Sequence, residues 1–433
     1  MQITREVRLN YDCSMQSSTK YEEQPVEGER HGNGGMVEAK MPGGKFVRLA
    51  LDGNGQIHMD GDFFIEDRGN EPVRNIERLL SALVPRGVED TATAAGSVKT
   101  VSMGSRPRES GSIETGSMKT GSKETMEDMT PAAMFGAAAS AIDADMRAIS
   151  GVTTGLVAQS FVRLVYQYFG RLLESAEERA QLDRAYRSWV DETEFDDTVS
   201  ESEALDFWRN LAPQLRIVRD VPRSPQEQMQ IESAWSGEVA SGKRPPTLRV
   251  WDWASRAVVL GKFQREQREV NESAARKLGF DIVRRETGGG AMIVVPEDTI
   301  TVSLYMPLDL TDGKSVAQMF QLCDYWLVEA LRNAGIPARF AGLNDIAGPN
   351  GKFGGSAQRI YKKSGARGCL LHHTTLAYDM RPELLATVLN TSPVKLSDKG
   401  VASAKKRVDP LRNYTDLSRT ELVDVSVDWV AGM

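Results

Sequence analysis

Residues 281–306 read DIVRRETGGGAMIVVPEDTITVSLYM, and the fold class turns on this stretch. Residues 281–285 form a strand pattern that runs into three consecutive glycines, Gly288, Gly289 and Gly290. Further on, Ile300, Val302, Leu304 and Met306 alternate with smaller or polar side chains, the two-residue period of a strand. Working outward, residues 247–253 (TLRVWDW), 256–260 (RAVVL) and 371–378 carry further strand patterns. Helices lie between them. Ser224-Pro225-Gln226-Glu227 has the pattern of a capping box with proline at the first helical position, and predicts a helix to about Gly237. Residues 272–278 predict a helix stopped by Gly279. Residues 315–334 place Val316, Met319, Phe320, Cys323, Leu327 and Leu331 on one stripe before Gly335, so Cys323 is expected in the core. Helices and strands mix without a strict βαβ repeat. The expectation for 211–433 is an α/β (α+β) domain with a mixed, largely antiparallel sheet.

Three zones precede it. Over 1–88, the alternating strand of residues 45–51, the turn Asp52-Gly53-Asn54-Gly55, a returning strand from Gln56 to Phe64 and helical spacing of Ile76, Leu79, Leu80 and Leu83 predict a small α+β module. Residues 89–130 repeat GSVKT, GSIET, GSMKT and GSKET; such a composition cannot build a core and predicts a flexible linker. Its root-mean-square span is about 35 Å. Residues 131–210 predict helices, with Phe161, Leu164, Val165, Tyr168, Phe169 and Leu172 three and four apart, packing on their neighbours without visible chemistry.

Composition excludes several classes. The chain has 433 residues, 53 Lys+Arg against 60 Asp+Glu and a net charge of −7, which argues against nucleic acid as the main partner. Cys13, Cys323 and Cys369 are too sparse for a disulfide framework or zinc ribbon, and the four histidines His31, His58, His372 and His373 form no HExxH. The apolar-looking stretch 152–169 contains Gln159, Arg163 and Gln167, which fits a soluble helix rather than a membrane span. The N-terminal residues have no apolar run of signal-peptide type, so the expected location is the cytoplasm.

Three segments could carry chemistry. In Arg284-Arg285-Glu286-Thr287-Gly288-Gly289-Gly290-Ala291, bare glycines expose backbone N–H groups beside two guanidinium groups, a surface suited to phosphate or carboxylate. The pattern is neither GxxxxGK[ST] nor GxGxxG, so no Walker or Rossmann turn is implied. Asn344-Asp345-Ile346 precedes Lys352-Phe353-Gly354-Gly355-Ser356-Ala357-Gln358-Arg359, where a lysine among small residues can reach a closely held ligand. Third comes His372-His373, two neighbours on a strand, only one of which faces a given pocket.

In this order, RRETGGGA, NDI, KFGGSAQR and LHHTTL resemble the lipoate–protein ligase family, whose motifs are RRxSGGGA, an ND pair, KxSGSAxR and HHGTL. TLRVWDWASRAVVLGKFQ is similar to the family's LRxW…VxLGRFQ strand pair, and Lys399 to Ser403 with Arg407-Val408 to its KGVKSxxxRV stretch. MPGGKFVRLALDGNGQIHMDGDFFIE resembles the family's accessory domain, here placed first. The resemblance implies a biotin/lipoate ligase fold and a two-step reaction: ATP and lipoate give lipoyl-AMP, and the lipoyl group then passes to a lysine of a lipoyl-domain protein, such as a 2-oxoacid dehydrogenase E2 or the glycine cleavage H protein. It implies Lys352 at the α-phosphate and acyl carbonyl, and Arg284, Arg285, Thr287, Gly288, Gly289, Gly290 and Ala291 lining the adenylate and acyl pocket. Asn344 and Asp345 would lie near phosphate, with Asp345 toward Mg2+. Gly355, Ser356 and Ala357 would belong to the nucleotide contact, and His372 or His373 to the pocket. One departure is that GGGA is not followed by the family's His-Asp. The alternatives are an octanoyltransferase of the same fold, which would need a cysteine nucleophile, and a non-catalytic lipoyl-domain binder. The biotin ligase GRGRxxR-type loop is absent.

Overall fold

The computed structural model describes residues 35–40, 45–65, 70–84, 129–168, 175–190, 198–362, 367–390 and 408–433. The linker reading over 89–128, together with Cys13, His31, Phe169, Leu172, Lys399 to Ser403 and Arg407, lies outside the described residues.

The first module opens with strands β1 (Gly35–Lys40), β2 (Phe46–Leu51) and β3 (Ile57–Gly61), an antiparallel sheet in that order. The β2–β3 turn is fixed by Asp52, whose Oδ1 accepts from the N–H groups of Asn54 and Gln56 at 2.9 and 2.8 Å, and by Gly55 at φ +75°. Strand β4 (Phe64–Ile65) leads to helix α1 (Glu71–Leu83), which starts a turn before the apolar spacing from Ile76 shows, because Pro72 can occupy the first turn. Helix α2 (Pro131–Met146), capped by the Thr130 hydroxyl, is followed by β5 (Ile149–Ser150), which pairs with β4, and by α3 (Thr154–Tyr168) and α4 (Ala176–Val190). Val47, Leu49, Ile76 and Leu80 share one buried cluster with Phe135, Ala139, Ile142, Leu156 and Phe161. The helices over 131–190 therefore complete the core of the first module.

Helix α5 (Glu201–Leu211) packs elsewhere: Trp208 is fully buried against the larger unit and its indole N–H donates to Leu322 O at 2.7 Å. That unit continues with β6 (Arg216–Arg219), α6 (Pro225–Ala240), β7 (Thr247–Trp251), β8 (Ala257–Leu260), the short helices α7 (Glu266–Glu269) and α8 (Glu272–Lys277), β9 (Asp281–Arg284), β10 (Met292–Val294) and β11 (Thr299–Pro307). It closes with α9 (Val316–Asn333), β12 (Arg339–Ala341), β13 (Asp345–Ala347), β14 (Lys352–Tyr361), β15 (Cys369–Ala377), α10 (Pro382–Val388) and α11 (Arg419–Ala431). Both capping boxes of α6 and α9 are formed. Helix α6 passes through Gly237 to Ala240, and the left-handed glycine beyond it is Gly242, at φ +71°. Gly279 and Gly335 take the same conformation after α8 and α9, at φ +72° and +81°.

The main sheet has seven strands in the order β12-β13-β14-β15-β11-β7-β6, antiparallel except for β6–β7. A second sheet, β10-β8-β9, lies beside it, with β8–β9 parallel. The domain is mixed α/β with largely antiparallel sheets, as the strand patterns predict. Apolar side chains of α5, α9 and α11 cover one face of the main sheet, in a core that holds Trp208, Phe320, Trp326, Leu422 and Val427. Helix α6 covers the other face, where Val239 meets Tyr305, Cys369 and Leu371. Register pairs Ser303 with His373 and Leu304 with His372 across β11–β15, so the two histidines point to opposite helices.

Candidate functional site

The glycine loop joins β9 to β10 and is built around its own arginines. Arg285 is buried; its guanidinium donates to the carbonyls of Val259, Gly288 and Gly290 and to the Thr287 hydroxyl, at 2.7 to 3.2 Å. Burial pushes its pKa down to about 10, against the pull of Glu232 and Asp62. Arg284 donates to the carbonyls of Gly261 and Gln264 at 2.7 and 2.6 Å. Arg285 thus spends its donors mostly on the loop itself and holds it in one shape, while Arg284 ties the end of β9 to the segment after β8. The bare Cα atoms admit the first module. A Cβ at Gly288 would lie 2.3 Å from Phe63 O, Gly289 N–H donates to Phe63 O at 3.2 Å, and a Cβ at Gly290 would meet the Asp62 carboxylate at 3.5 Å. Ala291 sits half-buried just before β10. At the rim, Glu286 pairs with Arg359 and with Lys262 at 2.9 Å; burial and the Arg359 charge lower the Lys262 pKa to about 8.

Lys352 starts β14. A bulge opposite Ile346 and Ala347 skips Phe353, so Lys352 turns to the same face as Gly355. Its ammonium pairs with Asp345 Oδ1 at 2.6 Å, both side chains being more than a third exposed. It also folds over Gly355, where a Cβ would lie only 2.5 Å from Nζ. The adjacent Asn344 accepts from Ser356 N–H through its backbone carbonyl at 2.9 Å and donates from its side chain to Ser356 O. Its Oδ1 accepts from the ammonium of Lys45, from the first module, at 2.5 Å. Ala357 is buried directly opposite His373 in register.

Structure separates the histidines. His373 Nδ1–H donates to Glu232 of α6 at 2.7 Å, and its Nε2 lies 2.9 Å from the Thr287 hydroxyl. Arg285 donates to the same hydroxyl, at 3.0 Å. Glu232 also accepts from Ser303, itself held by the Trp251 indole. Burial opposes the Glu232 charge, yet His373 and Ser303 bring its pKa below the ordinary carboxylate value. This chain ties the glycine loop to the sheet and to α6. His372 faces α9: its Nε2 bonds Asp324 at 2.9 Å, an acid shared with Thr374 and Ser356. Of the two, His373 reaches the loop.

The sequence reading did not single out Lys45, Asp62, Glu232 or Asp324. Gln228, Glu232 and Ser236 recur every fourth residue and are all buried, a polar stripe along α6 that marks its sheet-facing side. Asp324 interrupts the apolar run of α9. Neither described thiol belongs to this face's ligand side: Cys323 and Cys369 are buried, with burial raising the first well above the usual range and the second to about 12. Among the described residues no group of three or more His, Cys, Asp or Glu side chains could hold a metal by itself. A Mg2+ ion held mostly by nucleotide phosphates needs only one or two protein carboxylates, and the partly exposed Asp345 fits that demand.

Residues 224–431 match the family model for the lipoyl protein ligase A/B catalytic domain. The chain is 31% identical over 190 residues to lipoate-protein ligase A subunit 1 of Thermoplasma acidophilum, covering 43% of this chain and 68% of that protein. It is 30% identical to a probable lipoate-protein ligase A of Mycoplasma pneumoniae (41% of this chain, 49% of the relative). It is 33% identical to the octanoyltransferase LipM of an Exiguobacterium species (29% and 45%). Against these last two the chain spans about half the length of the relative. A solved structure of an archaeal bipartite lipoate protein ligase from Thermoplasma acidophilum matches at 24% identity and a TM-score of 0.42, over 51% of this chain and 82% of that one. With one such relative matched over two thirds of its length, the chain belongs to the lipoate–protein ligase family.

Proposed function

We propose that this protein is an ATP-dependent lipoate–protein ligase that forms lipoyl-AMP and passes the lipoyl group to a lysine of a lipoyl-domain protein, a 2-oxoacid dehydrogenase E2 or a glycine cleavage H protein. The supporting observation is the Lys352 ammonium, folded over bare Gly355 and paired with Asp345 beside a rigid glycine loop, on a face without a described thiol. Activation brings a carboxylate onto a polyphosphate, so the site must stabilise added negative charge; a fixed ammonium and backbone donors do this without nucleophilic chemistry. Lys352 would lie between the α-phosphate and the acyl carbonyl. Mg2+ at Asp345 would neutralise phosphate charge. The glycine loop with Thr287 and His373 would wall the acyl-adenylate from water, while Gly355 and Ala357 shape the floor and Ser356, bonded to Asp324 on the other face, fixes the strand beneath it. The acceptor lysine, with an ordinary pKa of about 10.4, must lose its proton on entry, and proximity supplies most of the second step.

The first module, completed by the helices over 131–190, acts as the family's accessory domain. The cytoplasm is the proposed location. No helix among the described residues is long and apolar enough to cross a membrane.

The LipM relatives favour a second reading, acyl transfer through a cysteine without ATP. Incubation of the full chain with ATP, Mg2+, lipoate and a lipoyl domain separates the two. Mass gain on the lipoyl domain only with ATP is the expected result. Gain from an octanoyl carrier protein without ATP would establish the transferase instead, and binding without gain a non-catalytic partner.

A further inference from the structure

Lys45 precedes β2 and is held from three sides. Its N–H donates to Gly151 O at 2.7 Å. Gly151, between β5 and α3, has φ +96°, and a Cβ there would fall 2.2 Å from Lys45 Cγ and 2.9 Å from Lys45 Cβ. The methylene stem therefore lies on bare backbone. The Phe64 ring centre is 5.0 Å from the ammonium. At its tip, the ammonium donates to Asn344 Oδ1 at 2.5 Å, its one hydrogen bond among the described residues. That partner is neutral, and an ammonium offers three donors. Asn344 adjoins Asp345, the partner of Lys352. Two lysines from two modules thus converge on consecutive residues of one turn. Asp62 and Asp345 favour the Lys45 charge, Lys352 and Arg285 oppose it, and burial is the largest effect, lowering its pKa. A half-buried ammonium whose one hydrogen bond among the described residues goes to a neutral acceptor gains from a bound anion.

We propose that Lys45 is a second cation of the ligand site, lent by the first module, which together with Lys352 binds the phosphate of the acyl nucleotide, and that Gly151 is the positioning residue that seats it. The inference rests on the ligase reading and deepens it. In the step concerned, a carboxylate oxygen bonds to the α-phosphorus while the bond from that phosphorus to the bridging oxygen breaks. Pyrophosphate leaves with the electron pair, and no proton moves at Lys45. The helices over 131–190 gain a task by this route, because the loop between α2 and α3 presents Gly151.

The test uses the full chain with ATP, Mg2+ and lipoate, reading ATP–pyrophosphate exchange, and separately transfer from synthetic lipoyl-AMP to a lipoyl domain. Lys45→Met keeps the stem and removes the charge. Exchange should fall about 100-fold, the scale of one lost donor to developing negative charge. Transfer from lipoyl-AMP should fall less, about tenfold, since the departing AMP phosphate gains only one negative charge in that step. Lys45→Arg should recover at least about a tenth of exchange, because the cation is restored. Gly151→Ala should lower exchange in the parent and add nothing in the Lys45→Met background, since a shared task is not additive. An absence of exchange in the parent protein would overturn the ligase reading itself. Exchange in the parent with Lys45→Met within about threefold of it, or with the Met and Arg variants equally impaired, would overturn this inference alone.

Discussion

Two segments of this chain are rich in glycine and lie near one another, yet their glycines do different work. In the loop between β9 and β10, Gly288 leaves room for another backbone, that of Phe63 and Phe64, and Gly289, at φ +92°, leaves room for the Arg285 guanidinium and the Phe64 ring. At the start of β14, Gly354 makes room for Thr375 O and Leu376 on the neighbouring strand, while Gly355 makes room for the flexible end of Lys352. A missing Cβ therefore serves module docking in one place, strand packing in a second and a side-chain ammonium in a third. The atoms that a methyl group would strike decide which substitution harms folding and which harms chemistry.

The largest expected effect breaks the β14 side of the comparison. Lys352→Ala should reduce ATP–pyrophosphate exchange about 1,000-fold with an unchanged melting temperature, because the lost group is partly exposed and acts on charge formed in the transition state. An active, folded variant would remove Lys352 from the mechanism. Next, Gly355→Ala should cost exchange about 100-fold at nearly full stability, since its methyl displaces only the lysine tip and a shift of about 1 Å suffices for such a loss. Its neighbour is the control: Gly354→Ala strikes Thr375 O at 2.2 Å, backbone that cannot give way. Overpacking there should destabilise by about 3 kcal/mol, lowering the midpoint of thermal unfolding by roughly 6–12 °C. Equal stability in the two variants would erase the distinction. On the loop side, Gly288→Ala should press on Phe63 O and loosen the first module, reducing exchange about tenfold, or about 1.4 kcal/mol. Faster limited proteolysis of the first module would accompany that loss, and unchanged proteolysis would contradict docking as the glycine's task.

Much of the framework was legible in the sequence. Alternation marked β11, a capping box marked α6, an apolar stripe ending before Gly335 marked α9, and the glycine turn after β9 was visible in the sequence. The order of RRETGGGA, NDI, KFGGSAQR and LHHTTL carried the family. What stayed hidden depends on long-range geometry. That β14 begins at Lys352, as a bulged strand, follows from register with β13, which local pattern does not encode. The division of His372 from His373 was expected from strand alternation, but which face each takes depends on Glu232 and Asp324, which lie 141 and 48 residues away in sequence. Arg284 and Arg285 read as ligand cations from their neighbourhood, whereas Arg285 donates to the loop's own carbonyls and Arg284 to those of Gly261 and Gln264 after β8. Lys45 was one lysine in a strand pattern, and only the contact between modules brings it to Asn344.

The smallest expected effect tests a premise common to both glycine segments, that charge rather than a thiolate serves the site. Cys369 begins β15 under α6, buried beside Val239 and Leu371, and desolvation lifts its pKa to about 12. At neutral pH such a thiol is almost wholly protonated and a poor nucleophile, because the thiolate is the reactive form. Cys369→Ser should therefore keep ATP-dependent lipoylation within about threefold while costing about 1–2 kcal/mol of stability, as a hydroxyl replaces a less polar thiol in an enclosed position. A folded Cys369→Ser protein without acyl transfer would reverse the weighting. It would require the sulfur to reach the ligand face and would move this chain toward the thioester chemistry of its octanoyltransferase relatives.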